Sequence, residues 1–246
     1  MINIICSEFI KLKKSFIIPV VLLGAIVVPA IYFLSDLDMD YDTLSKSISA
    51  MSTLANIHIF QMQVLNNIIF SLIGGYVFSR EYINKTANVW YSYPASRVKI
   101  FIGKVTVIFI LIVAIYFINF FASLITIGSS FGLQEVKNIF AIEFKTCLIS
   151  ALLQILIMPV PILIGIISKN IMFPVIYGVV VSIISIPLHV GGTWMQLAPF
   201  MIPIVPFYYF FTGDPIDYIA VCLSGGITFI VTITGIIIYL KKCDIN

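Results

Sequence analysis

Charge is what this sequence has least of: Asp, Glu, Lys and Arg make up 10% of its 246 residues, where soluble domains carry about 25%. With 61% hydrophobic residues, the chain could not cover the surface of a soluble fold, and that class is excluded. Long polar stretches are missing too, so spans and short connectors use up almost the whole chain and leave no room for a separate nucleotide-binding or catalytic domain. The four cysteines, Cys6, Cys147, Cys222 and Cys243, lie far apart, and none sits in a C-x-x-C or Cys/His pattern, so they read as small apolar residues rather than metal or redox groups. No G-x-x-x-x-G-K-[ST], H-E-x-x-H or G-x-S-x-G motif occurs, which removes the phosphate loop, the zinc peptidase helix and the nucleophile elbow. The chain therefore reads as non-catalytic, with no metal site and no cofactor of its own; if ATP drives it, another chain must bind the nucleotide. No cleavable signal peptide is evident, because the first apolar run, 16–34, is long enough to span and lacks a small-x-small cleavage site.

What the sequence does have is apolar runs near the length, about 20 residues, that crosses a bilayer as a helix. They predict an all-α integral membrane protein, one transmembrane domain over 1–246, with six spans near 15–34, 54–79, 105–128, 146–168, 171–189 and 217–240. An even number places both termini on one side. With the N-terminus in the cytoplasm, eleven of the fourteen basic residues fall on the cytoplasmic side and eight of the eleven acids on the other, as the positive-inside bias requires. The predicted location is the cytoplasmic membrane, multi-pass, with both ends inside.

Ahead of the first span, Ile2, Ile5, Phe9 and Leu12 recur at helical spacing while Glu8, Lys11, Lys13 and Lys14 take other positions. Residues 1–14 thus predict an amphipathic helix on the cytoplasmic membrane surface, its lysines near lipid headgroups. Residues 190–215, apolar but interrupted by Gly191, Gly192, Pro199, Pro203, Pro206 and Gly213, predict broken helices that re-enter from the outer face, since irregular backbone at membrane depth needs protein or water around it.

Ionisable residues are missing from the middle of every predicted span; His58 and His189 fall near span ends with no visible partner set. That argues against a proton-coupled carrier, a voltage sensor or a membrane enzyme. The second span is instead rich in amides, and at 100° per residue Asn56, Gln63, Asn67 and Gly74 fall on one stripe. Such a stripe suits either a helix-to-helix seam between subunits or the wall of a translocation path.

The longest basic connection, 79–104, is aromatic as well as charged. It holds Arg80, Glu81, Tyr82, Thr86, Trp90, Tyr91, Tyr93, Pro94, Arg97, Lys99 and Lys104. A short helix on the inner membrane face, ended by Pro94, would use those aromatics and offer a soluble partner a place to push.

On these residues the chain resembles the permeases of type-2 ABC exporters. In that family the second and third spans are joined by R-E-x-x-x-G-T, then P-x-S-R, then a lysine entering the membrane. The chain supplies Arg80-Glu81, Thr86, Pro94-Ala95-Ser96-Arg97 and Lys104, and departs at Lys85, where glycine is common. The size and low-charge spans look like the small permeases of lantibiotic immunity and bacitracin resistance. The resemblance implies cytoplasmic ABC ATPase subunits carrying ATP and Mg, a second permease of the same or a related chain, contact with membrane lipid, and no nucleic acid. It also implies an amphipathic or lipophilic substrate moved out of the cell or membrane, with Arg80, Glu81, Tyr82, Thr86, Trp90, Tyr91, Pro94 and Arg97 meeting the ATPase. The competing expectations are an ATP-independent transporter or channel, and a membrane scaffold or assembly protein.

Overall fold

In the computed structural model, residues 2–13, 15–36, 46–84, 97–188 and 193–242 are described. Those residues form helices, turns and no strand, as a membrane interior demands when every backbone N–H must find its partner within the segment. α1 (Ile2–Lys13) is followed by α2 (Ile17–Asp36), then α3 (Lys46–His58), which runs through a π-helical stretch, Ile59–Leu65, into α4 (Asn66–Ile83). α5 (Arg97–Ser130) and α6 (Leu133–Ile157) form a hairpin, and α6 continues past a break at Met158 as α7 (Pro159–Ser168). α8 (Met172–Leu188) precedes the broken segment: Thr193–Leu197, a 3₁₀ stretch Pro199–Ile204, one turn at Val205–Phe207 and a π turn at Tyr208–Thr212. α9 (Tyr218–Lys242) ends the chain's described part.

Five of these helical stretches are long and apolar enough to cross a membrane: Ile17–Ser35, Lys46–Ile83, Lys99–Ser130, Leu133–Ser168 and Tyr218–Tyr239. The expected fifth span is the shorter apolar helix Met172–Leu188, 17 residues, or about 25 Å at 1.5 Å per residue. Three spans are longer than predicted. Lys46–Ile83 has 38 residues and Leu133–Ser168 has 36, so each measures roughly 55 Å against a hydrocarbon core of about 30 Å. Hydropathy marks only the apolar middle of such a helix, while its polar ends continue the same hydrogen-bond ladder. The α5–α6 hairpin turns at Phe131 and Gly132, and Gly132 takes φ +97, a backbone that a Cβ would strain. Beyond the main core, Ala50, Leu54, Ile127, Phe131 and Ile139 pack into a second small core where these long helices meet.

Prolines and π turns leave orphan carbonyls, and neighbouring helices supply the missing donors. Pro29 lies inside α2 and cannot donate to the Ala25 carbonyl one turn back; Asn119 Nδ2 on α5 does so instead, at 3.2 Å. Gln61 Nε2 donates to the Gly24 carbonyl at 3.2 Å. In the π stretch the Gln63 carbonyl accepts from Asn67 Nδ2 on the next turn of the same helix at 2.7 Å and from the Ser185 hydroxyl of α8 at 3.2 Å, and the Ser182 hydroxyl on α8 lies 2.8 Å from the Val64 carbonyl.

α4 packs against α7 and α8 through small residues. A Cβ on Gly178 would stand 2.8 Å from the Asn67 carbonyl oxygen, and one on Gly165 would stand 3.1 Å from Gly75 Cα. Gly178→Ala is therefore expected to destabilise the protein by about 1–3 kcal/mol through overpacking. Gly226→Ala, with nothing within 4 Å of its Cβ, should change the thermal midpoint little when both are followed by size-exclusion chromatography in detergent.

Candidate functional site

Arg80, Glu81 and Tyr82 occupy the last turn of α4. The Glu81 side chain faces inward, 6% exposed, where its carboxylate meets Lys104 Nζ of α5 at 2.8 Å and Lys11 Nζ of α1 at 3.1 Å. Lys11 also pairs with Glu8, which is itself buried, and Lys104 donates to the Val77 carbonyl at 3.1 Å. This knot adds to the expected picture of α1. Its apolar residues do pack on the bundle, with Ile4 against Gly103 and Leu12 in the core, but Glu8 and Lys11 turn inward to the charges of α4 and α5 instead of all the polar residues facing headgroups. A buried carboxylate is tolerable only with such partners. Arg80 lies over the Tyr76 ring, 5.6 Å from its centroid. The Lys169 ammonium, in the α7–α8 turn, lies 5.5 Å from the Tyr82 ring. Lys11, Arg80, Lys104 and Lys169 thus gather at one end of the bundle.

Thr86, Trp90, Tyr91 and Pro94 lie outside the described residues. Arg97 begins α5, its side chain also outside the description. The knot around Glu81 thus stands at the start of the loop that the sequence singles out, and joins it to α1 and α5.

Of the amide stripe, Gln63, Asn67 and Gly74 are buried and Asn56 is exposed. The π stretch, which holds Gln63, lies between Asn56 and the other two. Its wider turn rotates everything after Leu65 relative to α3, and a face extrapolated at 100° per residue does not survive it. Gln63 Nε2 donates to the Tyr208 hydroxyl at 3.3 Å, and a Cβ on Gly74 would meet Met158 and Ile162 of the same chain. The three buried members face this chain's own helices.

A second polar line runs parallel to it and escapes sequence reasoning. Glu143, Thr146, Ser150 and Gln154 recur at helical spacing on α6 and are all buried. His58 Nε2 lies 2.7 Å from Glu143 Oε2, each side chain 1% exposed. The imidazole lies against Phe207 and Phe211, at centroid distances of 4.9 and 5.8 Å. Deeper in the bundle, the Tyr116 hydroxyl bonds Gln154 at 3.4 Å, and Gln61 Nε2 donates to Asn66 Oδ1 at 3.1 Å. The 143-146-150-154 spacing is the signal; it is invisible while Glu143 is assigned to a loop, as the predicted start of the fourth span at residue 146 does. Among the described residues no group of three or more His, Cys, Asp or Glu is placed to hold a metal ion.

A bundle of long apolar helices with two buried clusters of ionisable side chains and an amide-lined interior is the build of a multi-pass membrane protein. The family model of the ABC-2 family transporter proteins matches residues 4–185. The chain belongs to the ABC-2 transporter family. The bacitracin transport permease protein BCRB of Bacillus licheniformis is 25% identical over 198 residues, covering 79% of this chain and 92% of that relative. In this ABC-2 permease the matched range holds α1, both knots and the loop after Glu81, while the broken segment and α9 lie beyond it.

Removing one partner from a buried ion pair leaves the other charge unpaired, which costs about 3–5 kcal/mol. Glu81→Ala is expected to destabilise by that order, since it strands Lys104, and Glu81→Gln by clearly less, because the amide oxygen still accepts. Thermal melts of the two variants in detergent compare them directly.

Proposed function

We propose that this ABC-2 permease is the membrane subunit of an exporter whose energy comes from ATP hydrolysed in separate cytoplasmic ABC subunits. It carries an amphipathic or lipophilic molecule, such as an antimicrobial peptide, out of the cell or its membrane. The observation that carries this reading is the family membership over 4–185 together with the buried Glu81 knot at the head of the 79–104 loop. The bacitracin permease relative supports the peptide substrate class.

In this mechanism the ATPases push on the loop that holds Arg80, Thr86, Trp90, Tyr91, Pro94 and Arg97. The push reaches α1 and α5 at once, because Glu81 is tied to Lys11 and Lys104. Two permeases, identical or related, complete the pathway. Gln63, Asn67 and Gly74, with α7 and α8 packed against them, form the body that tilts, and the translocation path runs beside it. Both termini face the cytoplasm, in keeping with the basic residues gathered at the Glu81 end.

The coupling role is read from substrate-stimulated ATP hydrolysis by the chain purified with its ABC ATPase. Arg80→Ala and Trp90→Ala are expected to lower stimulation at least about 5-fold, the scale of coupling between distant sites, while the complex still assembles. Normal stimulation in both variants would remove the assigned role of the loop. Orientation is tested separately: a green fluorescent protein fused after Asn246 should fluoresce, and alkaline phosphatase at the same place should be inactive. An active phosphatase would reverse the topology.

A further inference from the structure

The end of the bundle opposite Glu81 is built around the His58–Glu143 hydrogen bond. It sits between the main core and the small core of Ala50, Leu54, Ile127, Phe131 and Ile139. Two π-helical turns flank it: Ile59–Leu65 begins directly after His58, and Tyr208–Thr212 directly after Phe207. They touch through Gln63 and Tyr208. Such turns account for well under 1% of residues and concentrate at functional places. A π turn differs from an α turn by one residue of register, so rewinding it rotates the helix on one side of it.

This arrangement buries polar atoms without a protein partner, Ser123 Oγ and Ser130 Oγ of α5 among them. His58 Nδ1, Gln61 Oε1 and Ser150 Oγ are buried without a partner. Ser150 lies on the polar face of α6, a seam that runs from Glu143, bonded to His58, to Gln154, bonded to Tyr116 of α5, and His58 stands at its end. Buried polar groups lacking a partner call for an explanation. A second state that wets the seam supplies one there: it loses the His58–Glu143 bond and hydrates His58 and Ser150 in exchange. Two arrangements of nearly balanced energy are what a gate requires.

We propose that His58 and Glu143 are positioning residues of the transport cycle, a bolt that holds α3, α6 and the broken segment together at this end. Breaking the bolt rewinds the 59–65 turn, moves Phe207 and Phe211 off the imidazole, and opens the seam to water. The proposal rests on the transport function above for its place in a cycle. The bolt itself is testable in the isolated chain.

Cys147 is a built-in probe, one turn after Glu143 and 3% exposed, with its thiol 3.4 Å from the Tyr116 carbonyl. In a chain whose other cysteines are serine, a water-soluble methanethiosulfonate should modify Cys147 slowly. His58→Ala and Glu143→Ala should each raise that rate about 10-fold or more, as expected of a lost local lock. Glu143→Gln, which keeps a hydrogen-bond partner for Nε2, should stay near the parent rate. Should the alanine variants aggregate on size exclusion, Glu143→Asp, one methylene too short to reach His58, takes their place with the same expected rise. Once the chain is assembled with its ABC ATPase, ATP turnover should raise labelling of the unaltered bolt. Three results would overturn the bolt: alanine and aspartate variants no faster than the parent, a glutamine variant as open as alanine, or active transport with Cys147 still unreactive. Labelling that follows the bolt in a chain that transports nothing with any ABC ATPase would uphold the bolt and overturn the export function.

Discussion

A bilayer offers no water to a broken helix, so each carbonyl that a proline or a π turn sets free has to find a donor on a neighbouring helix. Much of this fold follows from that constraint. Asn119 completes Ala25 across from Pro29, and Ser185 and Ser182 of α8 serve the Gln63 and Val64 carbonyls of the 59–65 stretch. Each of these bonds is modest by itself, on the order of 0.6 kcal/mol in membrane proteins where it has been measured. Their effect is to fix register: α2 meets α5 and α4 meets α8 at the heights where orphan and donor coincide. The glycine contacts at Gly75, Gly165 and Gly178 then let the backbones come close enough for short side chains to bridge them.

Charge is handled by the same economy of partners. The few ionisable residues that enter the bundle are gathered into two knots at opposite ends, Glu8–Lys11–Glu81–Lys104 at one and His58–Glu143 at the other. An uncharged polar layer of Gln61, Gln63, Asn66, Asn67, Tyr116 and Gln154 lies between them. Both knots join elements distant in sequence, so a push at either end is shared by several helices. The first sits beside the loop that an ATPase would move. The second holds the end where the long helices meet.

The helical, membrane-spanning character was legible because hydropathy integrates over about 20 residues and tolerates local error. The α1 helix and the broken character of the segment before the last span were legible for related reasons, a 3.6-residue period in one and repeated Gly and Pro in the other. The limits of the long helices were not. Windows that mark apolar runs stop at Thr146, while the hydrogen-bond ladder of α6 starts at Leu133, so hydropathy alone leaves Glu143 outside the helix. The amide stripe holds on a straight helix; the π stretch turns Asn56 away from Asn67 and Gly74, and nothing in the local sequence announces where a helix takes an extra residue. Arg80, Glu81 and Tyr82 stand out in the sequence as a motif, yet the inward turn of Glu81 depends on Lys11 and Lys104, which belong to two other helices.

The sequence by itself determined that this is an all-helical membrane protein without nucleotide-binding or hydrolase motifs of its own, and which family it resembles, because composition, hydropathy and short motifs act locally along the chain. Only the tertiary structure decided who partners whom. His58 and Glu143 lie 85 residues apart and Lys11 and Glu81 lie 70 apart, and no local pattern encodes such a meeting. It is set by the packing of small residues between helices and by the need, inside a membrane, for every polar group to end beside another.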